Sequence, residues 1–291
     1  MNFCVKILKL DWMRAGFDIS GHREGVLIAG LVGMMLSPAW GLAASATPAT
    51  SAVGTSSDWT THGGSVTGIR YSELSDINTS TIGSLGSPGL VEEYAIQTGV
   101  NGSHMGAPLI VSGTQTLYVM TPYPNQLSAY DLSNAGALKW TFAPNIKGYA
   151  FGQNCCDTVN RGPAYATDSA GRALVVFNTL DDTTVAVDAV TGKQAWRTTL
   201  DDPKTGVTTN GAVLIVPNKD PAAKPNSSLV VTGSSSGEMG VRGWVQALDL
   251  DTGAVKWKAY TTGPDADVKL SPNYSAFYRK DWGPNLSLIH I

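Results

Sequence analysis

Ala129-Tyr130-Asp131 with Gly136 and Trp140, Ala186-Val187-Asp188 with Thr191-Gly192 and Trp196, and Ala247-Leu248-Asp249 with Thr252-Gly253 and Trp257 are three copies of one pattern. In each, Ala-x-Asp is followed by a turn ending in Gly, and a Trp stands four residues after that Gly. Such a stretch predicts a hairpin: one strand ends at the Asp, the turn closes at the Gly, and the next strand carries the Trp. Two more strands precede each hairpin. They are expected at Pro108–Val111 and Thr116–Thr121, at Ala164–Thr167 and Ala173–Asn178, and at Ala212–Pro217 and Ser228–Gly233. The tryptophans are 56 and 61 residues apart, somewhat more than the common repeats of about 40–50 residues. Four short strands per period predict an all-β propeller whose Trp side chains pack between blades, since one blade cannot bury both its faces. The alternative is a two-sheet sandwich, which three matches to a three-point pattern disfavour.

Composition agrees. The chain has 291 residues, enough for one large β domain or two ordinary ones. Hydrophobic residues at 43% exclude a wholly disordered chain, and the 32 Gly and 15 Pro suit many tight turns. Charged residues are only 15%, against roughly 25% in ordinary soluble domains. With a net charge of -3 and no basic run after the first 25 residues, the chain lacks the footprint of a nucleic-acid-binding protein. Its four His, at 22, 62, 104 and 290, form no metal-binding helix.

Residues 1–46 read as an export signal. Lys6, Lys9, Arg14 and Arg23 precede the apolar stretch Val26–Leu36, Pro38 breaks it, and Ala44-Ser45-Ala46 is a small-residue cleavage site. The apolar stretch is about 11 residues long, short of the roughly 20 that span a bilayer. Met13 is an alternative start, and a buried helix is the alternative reading of the stretch. Residues 47–57 form a flexible linker of small residues, and the propeller is expected over 58–285. The mature chain is therefore expected in the periplasm, with no membrane span.

Two loops carry unusual chemistry. In an up-and-down four-stranded blade, the loop between strands two and three lies on the same face as the loop leading to the next blade. Gly152–Gly162 and Gly233–Gly243 are therefore expected on one face. The first loop holds Cys155-Cys156. A disulfide between adjacent cysteines distorts the intervening peptide, a strain seldom kept without function, and it would present a small flat surface to a planar ligand. Two reduced packing thiols and a soft-metal site are the alternatives. Arg161 offers a planar, permanently charged donor fork, or an ordinary surface ion pair. The second loop contains Ser235-Ser236-Gly237-Glu238, and Glu238 is the only Glu after Glu93. A carboxylate beside small residues suits a hard cation such as Ca²⁺; the alternative is a solvated turn residue paired with Arg242.

The run Cys155-Cys156-Asp157-x-x-Asn160-Arg161-Gly162, followed by Gly237-Glu238-x-Gly240-Val241-Arg242-Gly243 between tryptophan-bearing blades, resembles the pyrroloquinoline-quinone (PQQ)-dependent methanol/ethanol dehydrogenases. The likeness extends from Asp58-Trp59 to Thr262-Gly263-Pro264-Asp265. It implies part of an eight-bladed propeller with a quinone in an axial chamber. By that resemblance, Cys155 and Cys156 form a vicinal disulfide stacked on the quinone ring, and Arg161 meets the cofactor's oxygens. Ser235, Ser236 and Gly237 line the cofactor, and Glu238 is a ligand of Ca²⁺ or a lanthanide. The implied reaction is oxidation of a small primary alcohol, with electrons passing to cytochrome c. Two departures touch the implied cofactor site. The family often has Glu where Met105 stands and Thr where Leu214 falls. The resemblance also implies a chain about twice as long, with the Asn metal ligand, the Trp floor and the catalytic base Asp beyond these residues. No catalytic base is therefore assigned within this chain, and three blades alone are expected to be inactive. Residues 286–291 do not continue the pattern and read as foreign sequence. A non-catalytic periplasmic propeller that scaffolds outer-membrane assembly is the alternative outside enzymes; it needs neither Cys155-Cys156 nor Glu238. A sugar dehydrogenase using the same quinone is a further alternative, not expected to carry the adjacent cysteines.

Overall fold

In the computed structural model, which describes residues 4–10, 58–75, 77–79, 90–154 and 158–261, each repeat closes on its own Asp. The Asp131 carboxylate accepts the Ser133 amide at 2.9 Å, Asp188 the Thr191 amide at 2.8 Å, and Asp249 the Thr252 amide at 3.1 Å. An aspartate that captures amides ahead of it bends the chain without help from the sheet. The turn glycines Gly136, Gly192 and Gly253 then take left-handed φ of 71°, 70° and 74°.

Fourteen strands are described. β1 (Cys4–Leu10) pairs antiparallel with β2 (Leu90–Gln97). Blade 1 comprises β3 (Leu109–Val111), β4 (Thr116–Met120), β5 (Leu127–Asp131) and β6 (Ala137–Phe142) in sequential antiparallel order. Blade 2 repeats the order with β7 (Ala164–Thr167), β8 (Ala173–Thr179), β9 (Thr183–Asp188) and β10 (Gln194–Thr199). Blade 3 comprises β11 (Leu214–Pro217), β12 (Ser228–Gly233), β13 (Trp244–Asp249) and β14 (Val255–Tyr260). The expected all-β propeller blades are present. β11 begins two residues later than expected, since its ladder with β12 opens at Leu214 opposite Val231. Part of the expected leader, residues 4–10, supplies β1, which partners the edge of β2. The rest of the expected leader, the linker 47–57 and the tail 286–291 lie outside the described residues.

The tryptophans join blade to blade. Trp140 of blade 1 lies against Gly192 of blade 2, where an added Cβ would come within 2.7 Å of the indole, and its Nε1 donates to Ala189 O at 3.2 Å. Trp196 repeats the contact on blade 3, with Gly253 beneath the ring and Nε1 donating to Leu250 O at 2.8 Å. Trp257 of β14 has no described blade to dock on and is 37% exposed. Blade 2 is buried on both faces. Val175, Phe177, Val185 and Val187 pack towards blade 1, while Leu174, Val176 and Ala186 pack towards Trp244 and Leu248 of blade 3. That double burial explains the unbroken apolar run of β8. Leu117, Val119 and Tyr130 on the other face of blade 1 pack with Ile96 of β2.

Two aspartates repeat a clasp between neighbouring segments. Asp251 accepts the Ser169 amide of the blade 2 turn at 3.0 Å, and Asp58 accepts the Ser112 amide of the blade 1 turn at 2.6 Å. Trp59 bridges Ile110 of β3, and Thr60 O accepts the Tyr165 amide of β7, so residues 58–60 tie the first strands of two blades together. No helix among the described residues is long and apolar enough to cross a membrane.

The docking geometry makes a graded prediction. Gly253→Ala forces a side chain into left-handed backbone and places its Cβ 2.6 Å from the Trp196 ring. It should cost about 2–4 kcal/mol in denaturant unfolding. Gly171→Ala has φ +85° but open space around the new Cβ, so it should lose only the backbone part of that cost, about 1–2 kcal/mol. Equal losses in the two variants would mean that ring packing on the glycine contributes nothing.

Candidate functional site

The segment between β10 and β11 brings the two unusual loops together. Its Thr208, Thr209 and Asn210 are uncharged, polar and buried. Thr208 O accepts the Ser235 amide at 2.7 Å, and Asn210 O accepts the Arg161 amide at 3.0 Å. Thr208 Oγ1 lies 2.6 Å from Ser236 Oγ, and Ser235 Oγ donates to Asn210 Oδ1 at 2.7 Å. Both the Thr208 hydroxyl and the Asn210 amide donate to Asn154 Oδ1, at 3.3 and 3.4 Å. The expected meeting of the two loops on one face is therefore observed, through a segment that strand reasoning passed over as a connection.

The described residues of each loop are held in place for a nameable reason. Asn160 is buried, donates to Asn178 O at 2.8 Å and accepts the Gly162 amide at 2.9 Å. Gly162 has φ 111°, and an added Cβ would stand 2.8 Å from the Ala107 nitrogen, so only glycine fits. The Arg161 carbonyl accepts the Ala107 amide at 3.2 Å, while its guanidinium is exposed and has no partner among the described residues. In the second loop, Ser236 is buried with φ 72°, a conformation that costs a non-glycine residue about 1–3 kcal/mol unless its surroundings hold it. Its hydroxyl contact with Thr208 and the Met239 amide bond to its carbonyl, at 2.9 Å, supply that hold.

Gly237–Met239 form a single 3₁₀ turn with Glu238 exposed upon it. Glu238 has no ion pair among the described residues. Arg242, the alternative partner, stacks on the Tyr260 ring at 4.0 Å. Among the described residues no group of three or more His, Cys, Asp or Glu forms a metal cluster, so Glu238 stands as a single carboxylate donor. Cys155 and Cys156 lie outside the described residues. A cavity of about 520 Å³ is bounded by residues of 58–74 and by Ala107, Pro108 and Ile110, and no residue of the Thr208–Asn210 network lines it. His62 on its wall contacts the Arg161 carbonyl at 3.0 Å.

The position that Arg161 occupies recurs. Met105, Arg161 and Asn210 each precede a glycine, Gly106, Gly162 or Gly211, that leads into the first strand of a blade. Leu214, the expected point of departure on the inner strand of the third unit, opens β11, and Asn210 precedes Gly211 as Met105 and Arg161 precede their glycines. The X-Gly spacing was readable in the sequence; the polar run Thr208-Thr209-Asn210 before it was the unheeded signal.

Behind this segment lies a buried carboxyl. Asp182, in the turn between β8 and β9, accepts the Thr209 hydroxyl on Oδ1, while its Oδ2 is buried with no partner among the described residues. Burial pushes its pKa up to about 6; the Thr209 hydroxyl opposes the shift, Asp201 and Asp181 add to it, and Lys258 lowers it. The arrangement as a whole presents hydrogen-bond donors around a small-residue loop, with one guanidinium and one carboxylate at its edge. That suits a planar, oxygen-bearing ligand accompanied by a hard cation.

The family model described as "PQQ: Glucose/ethanol/alcohol dehydrogenase, beta-propeller domain" matches residues 59–285. The chain belongs to this family of quinoprotein dehydrogenase propellers. It is 37% identical over 227 residues to the lanthanide-dependent methanol dehydrogenase of Methylacidiphilum fumariolicum (strain SolV), covering 78% of this chain and 34% of that protein. It is 36% identical over 219 residues to methanol dehydrogenase [cytochrome c] subunit 1 of Methylobacterium organophilum, covering 75% of this chain and 32% of that one. Among solved structures, a europium-containing methanol dehydrogenase superposes with a TM-score of 0.62 at 37% identity, over 74% of this chain and 34% of that one. The chain thus spans about a third of the length of the relatives it matches.

Asp182 makes a pH prediction. Its folded pKa, about 6, lies above the ordinary 3.8. Between about pH 4 and 6 the folded state keeps a proton that the unfolded state has lost, so this group's contribution to stability falls as pH rises through that window. The loss should be on the order of 2–3 kcal/mol and persist above it. Asp182→Asn should remove that dependence, making the variant gain on the wild type from pH 4 to pH 7 in urea-unfolding midpoints. A difference constant across this range would refute the assignment.

Proposed function

We propose that the chain builds one side of the cofactor and metal site of a periplasmic PQQ-dependent alcohol dehydrogenase that oxidises small primary alcohols to aldehydes. The reading is carried by one juxtaposition: Thr208–Asn210 binds the Asn154–Arg161 loop on one side and the Ser235–Glu238 loop on the other. Family membership and the methanol dehydrogenases among its relatives support the reaction class. In this reading Cys155 and Cys156 pair and stack on the quinone, Arg161 addresses its oxygens, and Ser235, Ser236 and Gly237 line it. Glu238 is one ligand of Ca²⁺ or a lanthanide. When bound, the quinone with its cation accepts hydride from the alcohol and passes electrons on to cytochrome c.

The chain's own residues suit these tasks. Arg161 offers a permanently charged donor fork, and its backbone is pinned through both its amide and its carbonyl. Glu238 offers a hard anionic oxygen from a turn with no competing ion pair among the described residues. The uncharged side chains between them supply directional hydrogen bonds without a competing charge. A scaffolding propeller would have no use for either loop.

In the full-length protein, Glu238→Gln should weaken binding of Ca²⁺ or La³⁺ at least about tenfold by isothermal titration of the quinone-loaded form, since even outer-shell changes cost that much. Unchanged metal affinity would remove Glu238 from the metal site. Failure of the wild-type protein to bind either PQQ or the ion would favour the scaffold.

A further inference from the structure

Hydrogen-bond counting around Asn154 leaves one donor over. Its Oδ1 receives the Thr208 hydroxyl at 3.3 Å and Asn210 Nδ2 at 3.4 Å. Asn210 in turn accepts the Ser235 hydroxyl on its own oxygen at 2.7 Å. The single hydroxyl hydrogen of Thr208 goes to Asn154, so in the 2.6 Å contact with Ser236 the serine is the donor. Both serine hydroxyl hydrogens are thereby committed to the protein, and the network they start converges on one oxygen. Both contacts converge on Oδ1, and Nδ2 is turned away from them. Asn154 Nδ2 is buried and has no hydrogen-bond partner among the described residues. Buried donors are rarely left without an acceptor, because leaving one unpaired forfeits its hydrogen bond to water.

We infer that Asn154 is a ligand-binding residue whose amide N–H donates to an oxygen of the bound quinone, and that Thr208, Asn210, Ser235 and Ser236 are positioning residues that aim it. The inference rests on the quinone-binding reading above. The chemistry is matched, since quinone carbonyls and carboxylates are acceptors and the amide offers a donor without adding charge. Each residue of the network is uncharged, so the aim of the amide does not change with pH or screening. The Ser235 and Ser236 hydroxyls act through Thr208 and Asn210 and do not donate to the ligand. The aim exists only while blades 2 and 3 are docked, because its parts come from both sides of that junction.

The test uses the full-length protein stripped of cofactor and titrated with PQQ at fixed Ca²⁺, with tryptophan fluorescence as readout. Asn154→Asp keeps two oxygens to accept from Thr208 and Asn210 but cannot donate. It should raise the dissociation constant about tenfold or more, the equivalent of one lost hydrogen bond, while the melting temperature of the ligand-free protein stays unchanged. The trimethyl ester of PQQ carries no carboxylate charge, so a similar loss with the ester assigns the effect to the missing donor and not to the added charge. Thr208→Val should weaken binding severalfold and Thr208→Ser should restore it, which keeps the inference testable if Asn154→Asp does not fold. Unchanged affinity in Asn154→Asp, a loss confined to the charged quinone, or a lower melting temperature with unchanged binding would each overturn the inference and leave the quinone reading standing. Absence of PQQ binding to the wild type would overturn both.

Discussion

The contact between a tryptophan ring and a left-handed glycine in the next blade's turn is the constraint on which the rest of this structure depends. The glycine does two jobs that need the same missing side chain: it reverses the hairpin at positive φ, and it leaves room for the indole of the preceding blade. The indole N–H then donates to a carbonyl three residues before that glycine, at Ala189 or Leu250, which sets the ring's direction as well as its depth. Hydrophobic burial alone would hold blades together without fixing their register, because it is not directional. A ring seated on a glycine and tied by one hydrogen bond is directional. Repeated at both junctions, it makes the angle between blades a property of the turn.

That register is what assembles the candidate site. The blade 2 to blade 3 junction joins Trp196 to Leu250 at the turns, and β7 and β11 approach each other. The connection from β10 to β11 must cross this junction, and it does so as Thr208-Thr209-Asn210, with backbone carbonyls and side chains both occupied. Charge is distributed with a purpose that electrostatics makes plain. The guanidinium of Arg161 and the carboxylate of Glu238 are exposed, while the Thr208–Asn210 segment between their loops is buried, hydrogen-bonded and uncharged. Asp182 is the exception, a carboxyl buried behind the segment with only the Thr209 hydroxyl bonded to it, which is why its proton affinity rises.

Much of this was legible in the residues themselves, because the relevant rules are local. An Asp that captures the next amides, a glycine that must sit at positive φ and a Trp four residues later all act within one hairpin, so a chain of letters carries them. The blade count and the shared face of the two loops followed from the same repeat. The start of β11 was less legible: Ala212 and Val213 continue an apolar stretch in the sequence, yet the ladder with β12 opens only at Leu214, because the first paired residue is set by the neighbouring strand and not by the residue's own pattern.

The sequence by itself determined the hairpins, the propeller class and the two loops with unusual side chains, since turn chemistry and residue type are decided within a few positions. Only the tertiary structure decided that Asn154, Thr208, Asn210, Ser235 and Ser236 form one directed network, and that Asp182 lies beneath it. Those bonds join residues 25 to 56 positions apart. Which donor meets which acceptor over such separations depends on how two blades pack, and packing geometry is not written in any local pattern.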